Sequence, residues 1–126
     1  MPFKDQEYDI VFSNAVVEHI PNGQGQRLYV EELLRVGRRV FITTPNYWYP
    51  VELHSRLPLI HFLPAGLRTP LLRRIRDEWW VNFYNQELRL LTPRRFKSLF
   101  QTSRPVRIVK QCITFYPETL IALVGG

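Results

Sequence analysis

Two short apolar runs enclose one amphipathic helix, and that arrangement restricts the fold of this chain more than any other feature. Residues 8–13 (YDIVFS) and 39–44 (RVFITT) are nearly continuous stretches rich in β-branched and aromatic side chains. Such runs predict strands buried on both faces of a parallel sheet. Between them, residues 26–36 carry Tyr29, Val30, Leu33 and Leu34 at helical spacing, with Gly37 placed as the C-terminal cap. A strand, a crossover helix and a second strand make a unit whose two strands run parallel. Pro45 closes the second run.

The chain changes character over residues 47–92. Prolines at 50, 58, 64 and 70, a cluster of aromatics and a basic segment at 67–76 predict an inserted lid of short helices and irregular turns, not sheet. Thr92-Pro93 then supplies an N-cap and a proline at the first helical position, and Phe96, Leu99 and Phe100 give the next helix one apolar face. Two β-rich runs, 106–115 and 119–124, are separated by Tyr116, Pro117 and Glu118 and predict an antiparallel hairpin. The expectation is one α/β domain of 126 residues, short of the roughly 200 residues that a complete doubly wound enzyme needs.

Charge and cysteine content narrow the setting. The net charge of +6 comes almost wholly from arginine, since Lys4, Lys97 and Lys110 are the only lysines. Arginine favours pairing with carboxylate or phosphate, and the same charge also suits an anionic membrane surface. Nucleic acid is not the expected partner, because the arginines gather in the insertion without a nucleic-acid-binding module around them. Cys112 is the single cysteine, so no internal disulfide can form, and a reducing, cytoplasmic compartment is expected. The longest apolar stretch, 57–67, is broken by Pro58, His61 and Pro64 and falls short of the ~20 residues that span a bilayer.

Particular residues carry a family resemblance. Pro2-Phe3, Asp5 and Tyr8-Asp9 lead into Ser13-Asn14-Ala15-Val16-Val17-Glu18-His19, and Glu32-Leu33-Leu34-Arg35-Val36 stands before Gly37. Phe41-Ile42-Thr43-Thr44-Pro45-Asn46 closes the second run, and Leu91-Thr92-Pro93-Arg94-Arg95-Phe96 opens the later helix. In this order the segments resemble the C-terminal half of class I S-adenosylmethionine-dependent methyltransferases of the small-molecule branch, types 11 and 12. The resemblance implies a partial Rossmann-like sheet, the family's fourth to seventh strands, with a parallel pair, a C-terminal antiparallel hairpin and a helical insertion. It also implies methyl transfer from S-adenosylmethionine to an oxygen, nitrogen or carbon of a small or amphiphilic acceptor. The family's glycine-rich turn and its ribose-binding acid have no counterpart here; Gly23 and Gly25 follow a helix-like turn, not a buried strand. By the family's pattern the chain begins just before the fourth strand, and alone it is expected to bind the cofactor weakly or not at all.

Ligands of open α/β sheets gather at the carboxyl ends of the strands. The resemblance puts Ser13, Asn14 and Ala15 beside the methionine part of the cofactor; the plainer alternative is that they only finish the strand and turn the chain. His19 is the candidate catalytic residue, since an imidazole near the methyl donor can accept the proton that a hydroxyl or amine nucleophile loses. Its competing role is a hydrogen bond to the backbone. Asn46, Tyr47, Trp48 and His54 are the candidates for an acceptor pocket with aromatic walls, against the alternative that the aromatics pack the insertion onto the sheet. In some quinone-pathway relatives the counterpart of Glu18-His19 joins another acid at a metal. Here Ala15 stands near that position, and His54 and His61, seven apart and so roughly on one face of a helix, lack a third ligand; no metal site is expected.

Two other functions compete. The 8–13 strand would leave an apolar edge with unpaired backbone groups, which invites pairing with a second copy or with a partner that carries the family's first three strands. The basic, aromatic insertion would also suit peripheral contact with a membrane or a lipid-linked acceptor.

Overall fold

A computed structural model describes residues 2–113 and 115–125. Strand β1 (Tyr8–Asn14) and strand β2 (Gly37–Pro45) lie side by side and parallel, from Tyr8 opposite Gly37 to Asn14 opposite Thr43. Helix α1 (Gly23–Val36) connects them. Strands β3 (Val51–Glu52) and β4 (Leu57–Pro58), a 3-10 turn at Ile60–Phe62, and helices α2 (Ala65–Leu72) and α3 (Glu78–Gln86) follow, in the stretch where the sequence predicts an insertion. Helix α4 (Pro93–Ser98) leads to the hairpin of β5 (Val106–Ile113) and β6 (Tyr116–Val124). β2 pairs antiparallel with β6 and β6 with β5, so the sheet order is β1-β2-β6-β5.

Helix α1 starts earlier than its apolar spacing indicates, because the Asn22 side chain accepts the Gly25 N–H at 2.6 Å and caps it. Gly37 does not end the helix in the left-handed conformation. It has φ −106° and ψ 134° and opens β2 directly. Glycine is needed there for space, since a Cβ would stand 2.8 Å from Val11 Cγ2. Val30 and Leu33 of α1, Phe96 of α4 and Leu99 just beyond it pack on Val40, Ile42, Leu120, Ala122 and Val124 of the sheet. Each fully buried side chain of this kind stabilises by roughly 1.5–3 kcal/mol. Thr92 caps α4 by accepting the Arg95 N–H, with Pro93 at the first helical position, as its sequence requires.

Three expectations need correction. β1 is not buried on both faces: Val11 and Ser13 turn toward the core, but Ile10 and Phe12 are 61% and 65% exposed. Phe41, paired with Phe12, is exposed too, because among the described residues the helices cover one face of the sheet only. The insertion contains a two-residue ladder, Val51 opposite Pro58 and Glu52 opposite Leu57, where no sheet was expected. The hairpin turns before Tyr116, not over residues 116–118: β6 already contains Tyr116 and Pro117, and a register shift after Gln111 admits the proline. Position 114 lies outside the described residues.

The insertion has its own small core of Ile60, Leu72, Val81 and Tyr84. Among the described residues no helix is long and apolar enough to cross a membrane.

Candidate functional site

Because β1 and β2 run parallel, Asn14 and Asn46 follow the sheet to the same rim. Beyond Asn14 the backbone enters the left-handed region at Ala15, φ 51°, and reverses. The Ala15 N–H donates to Thr43 O at 3.1 Å, and Thr43 Oγ1 donates to Asn14 Oδ1 at 2.6 Å, which fixes the turn to β2. The next residues form a 3-10 turn, Val17–His19, whose Val17 enters the core.

That turn carries Glu18 into a fully buried position. Its Oε2 accepts the Thr44 hydroxyl at 3.0 Å, while Oε1 has no hydrogen-bond partner among the described residues. Burial pushes the Glu18 carboxyl above its ordinary value of 4.5, against hydrogen bonds from its own backbone and Thr44 and the nearby imidazoles of His19 and His54. His19 stacks on Phe83 of α3 at 5.7 Å between centroids and meets the His54 ring edge-on at 5.1 Å. Its Nδ1 is buried without a partner among the described residues.

His54 reaches this point from the turn between β3 and β4. Glu52, 2% exposed, accepts the N–H groups of His54 and Ser55 and holds His54 Nδ1 at 2.8 Å. Burial alone would raise the Glu52 carboxyl, but the hydrogen bonds from the His54 ring, Ser55 and their backbone outweigh it and bring it down to about 2. Glu52 is therefore ionised and fixes the orientation of the His54 ring. One potential ligand atom from each of Glu18, His19 and His54 lies within 4.8 Å of the others.

The remaining candidates take different places. Ser13 is buried with its hydroxyl 2.9 Å from that of Tyr29 on α1, so its side chain faces the helix. Asn14 and Ala15 are exposed at the rim. The Asn46 side chain donates to Pro117 O at 2.8 Å and accepts the Trp48 N–H at 3.3 Å, an internal clamp between β2 and β6. Tyr47 lines a cavity of about 200 Å³ with His61, Arg68 and Tyr84, and Trp48 lines another with Thr92, Pro93 and Lys110. His54 and His61 do not share a helix: His54 lies in the β3–β4 turn and His61 in the second 3-10 turn. An apolar cavity of about 380 Å³ is bordered by Leu57, Leu59, Ile60, Leu63, Leu71 and Ile75, with Arg74 beside them.

Sequence reasoning missed Glu52 and Phe83. The signal for Glu52 was a carboxylate two residues before a histidine in a proline-flanked turn; nothing in the sequence singled out Phe83 from its aromatic neighbours.

No family model and no curated protein matches the chain. Among solved structures, the chain is similar to a SAM-dependent methyltransferase from Methanosarcina mazei, with a TM-score of 0.54 and 12% identity. The match covers 98% of this chain and 60% of that one, so the chain spans about three fifths of the matched structure. At that identity the likeness concerns architecture alone: the chain has a methyltransferase-like α/β fold.

Proposed function

We propose that the chain is the acceptor side of an S-adenosylmethionine-dependent methyltransferase domain, with β1, β2, β5 and β6 as that fold's fourth to seventh strands. The observation that carries this reading is the meeting of the lid pair Glu52–His54 with Glu18 and His19 at the rim where β1 ends. The cofactor's sulfonium is already activated, so methyl transfer needs chiefly an in-line approach of the nucleophile. The cofactor, when bound, would supply the activated methyl group, and an imidazole of this chain would take up the proton that the acceptor's hydroxyl or amine loses. Glu52 holds His54 Nδ1, which leaves Nε2 as the basic nitrogen, and His19 stands against the same ring.

Asn14, Ala15 and the backbone of Ser13 would meet the methionine end of the cofactor. Tyr47 and Trp48 would shape the acceptor side, with Asn46 supporting them from within. The apolar lid cavity suits the hydrophobic part of an amphiphilic acceptor. Cofactor affinity in the isolated chain is expected to be weak, since the glycine-rich turn and ribose-binding acid of the family are missing from this sequence.

The test is transfer of labelled methyl from S-adenosylmethionine to a panel of phenolic and amine amphiphiles. It should use the chain and, where its reading frame continues upstream, the extended form. Transfer should fall about 100-fold or more in His54→Ala. A form that binds the cofactor yet labels no acceptor, or is indifferent to His54→Ala, would count against the reading.

A second reading has its own observation. Ile10, Phe12 and Phe41 form an open apolar patch on the sheet beside the edge of β1, which pairs with no further strand among the described residues, and this supports association with a second copy or a partner chain.

A further inference from the structure

We propose that Glu18, His19 and His54 form a binding site for a divalent transition-metal ion of the zinc class. Each residue brings one ligand atom within 4.8 Å of the other two. A tetrahedral ion with bonds of about 2.0–2.2 Å needs ligand atoms about 3.3–3.6 Å apart, so modest side-chain rotations close the site.

Two independent features point the same way. Glu18 is fully buried, its Oε2 accepts from Thr44, and its Oε1 is left without a hydrogen bond among the described residues, as is the buried Nδ1 of His19. Buried polar atoms normally find partners, and a metal ion would satisfy both. The third ligand is already prepared: Glu52 holds His54 Nδ1 at 2.8 Å and leaves Nε2 for coordination, the carboxylate–histidine–metal arrangement that orients a ligating imidazole. Phe83 stacked on His19 fixes the second imidazole. Two imidazoles and one carboxylate favour zinc-like ions over magnesium or calcium, which take oxygen donors. Three protein ligands leave a fourth position for water or a hydroxyl-bearing ligand, as catalytic zinc sites do.

An ion on His54 Nε2 would occupy the nitrogen that the proposed methyl transfer uses as its base, so in the metal-loaded chain the acceptor hydroxyl would instead be activated at the ion's open position. Metal binding is read without a transfer assay, so the two readings fail separately. The full chain, freed of metal by a chelator, is titrated with Co²⁺ and followed by visible absorption, with Zn²⁺ as competitor. The expected result is one Co²⁺ per chain, with ligand-field bands, no thiolate charge-transfer band, and displacement by Zn²⁺. His54→Ala and Glu18→Gln should each weaken binding by at least about 100-fold and Glu52→Gln by about 10–100-fold. Cys112→Ser, an exposed position, should change nothing. Circular dichroism reports whether each variant folds. Should Glu18→Gln fail to fold, His54→Ala, partly exposed in a lid turn, decides alone. No saturable binding by the unaltered chain, binding indifferent to His54→Ala, or binding abolished by Cys112→Ser would overturn the proposal.

Discussion

His61 illustrates how a single buried ring couples this chain to pH. Its Nε2 stands 2.8 Å from Tyr47 O, and burial lowers its pKa despite that carbonyl and the nearby Glu52 carboxylate. The folded chain therefore resists protonation at His61, while the unfolded chain takes up a proton near 6.5. The stability from neutral His61 is present above that pH and is lost as pH falls below it, toward the lower folded value. Melting temperature should drop between about pH 7.5 and about pH 5.5, and His61→Gln should flatten that slope. Equal slopes in both chains would contradict the assignment. Individual roles were the least legible level of the sequence. Asn46 read as a pocket residue, yet its amide clamps Pro117 across a strand pairing that no local pattern encodes. Glu18 and His19 stood in plain sight, but burial, which decides what Glu18 can do, is a tertiary property.

At the scale of elements, periodicity carried the strand–helix–strand unit and the capped α4, because both are set by residues near in sequence. The boundaries that escaped were set by distant contacts. Gly37 reads as a helix cap until Val11 is placed against it, and the β3–β4 ladder depends on Glu52 closing its turn. Arg104 makes a connection of the same distant kind. Its guanidinium donates to Leu34 O and Gly37 O at 3.0 Å each, to Gly125 O at 3.1 Å and to Arg38 O. One side chain thus joins the end of α1 and the start of β2 to the end of the hairpin. Charge-assisted hydrogen bonds contribute about 1.5–3 kcal/mol, and part-buried carbonyls left without this donor add to the loss. Arg104→Met should lower unfolding free energy in urea by about 2–3 kcal/mol. A change below ~0.5 kcal/mol would show that the clamp is idle in solution.

For the whole molecule, the sheet holds a parallel pair with an antiparallel hairpin beside it, and the fold likeness agrees at the level of a mixed α/β architecture. The site was only half legible: Glu18 and His19 adjoin in sequence, whereas His54 joins them only through the tertiary contact of the β3–β4 turn with the rim. The open patch of Ile10, Phe12 and Phe41 should make the chain self-associate. Light scattering at rising concentration should show mass above that of one chain, and Ile10→Lys should restore the monomer. A monomer at every concentration in the unaltered chain would remove the association reading. Lid docking on the rim is the claim on which both methyl transfer and metal binding depend, and magnetization transfer between the His19 and His54 ring protons tests it directly. With centroids 5.1 Å apart, the two rings should give nuclear Overhauser cross-peaks that vanish in His54→Ala. Their absence, in a spectrum that still shows the β1–β2 contacts, would contradict the account.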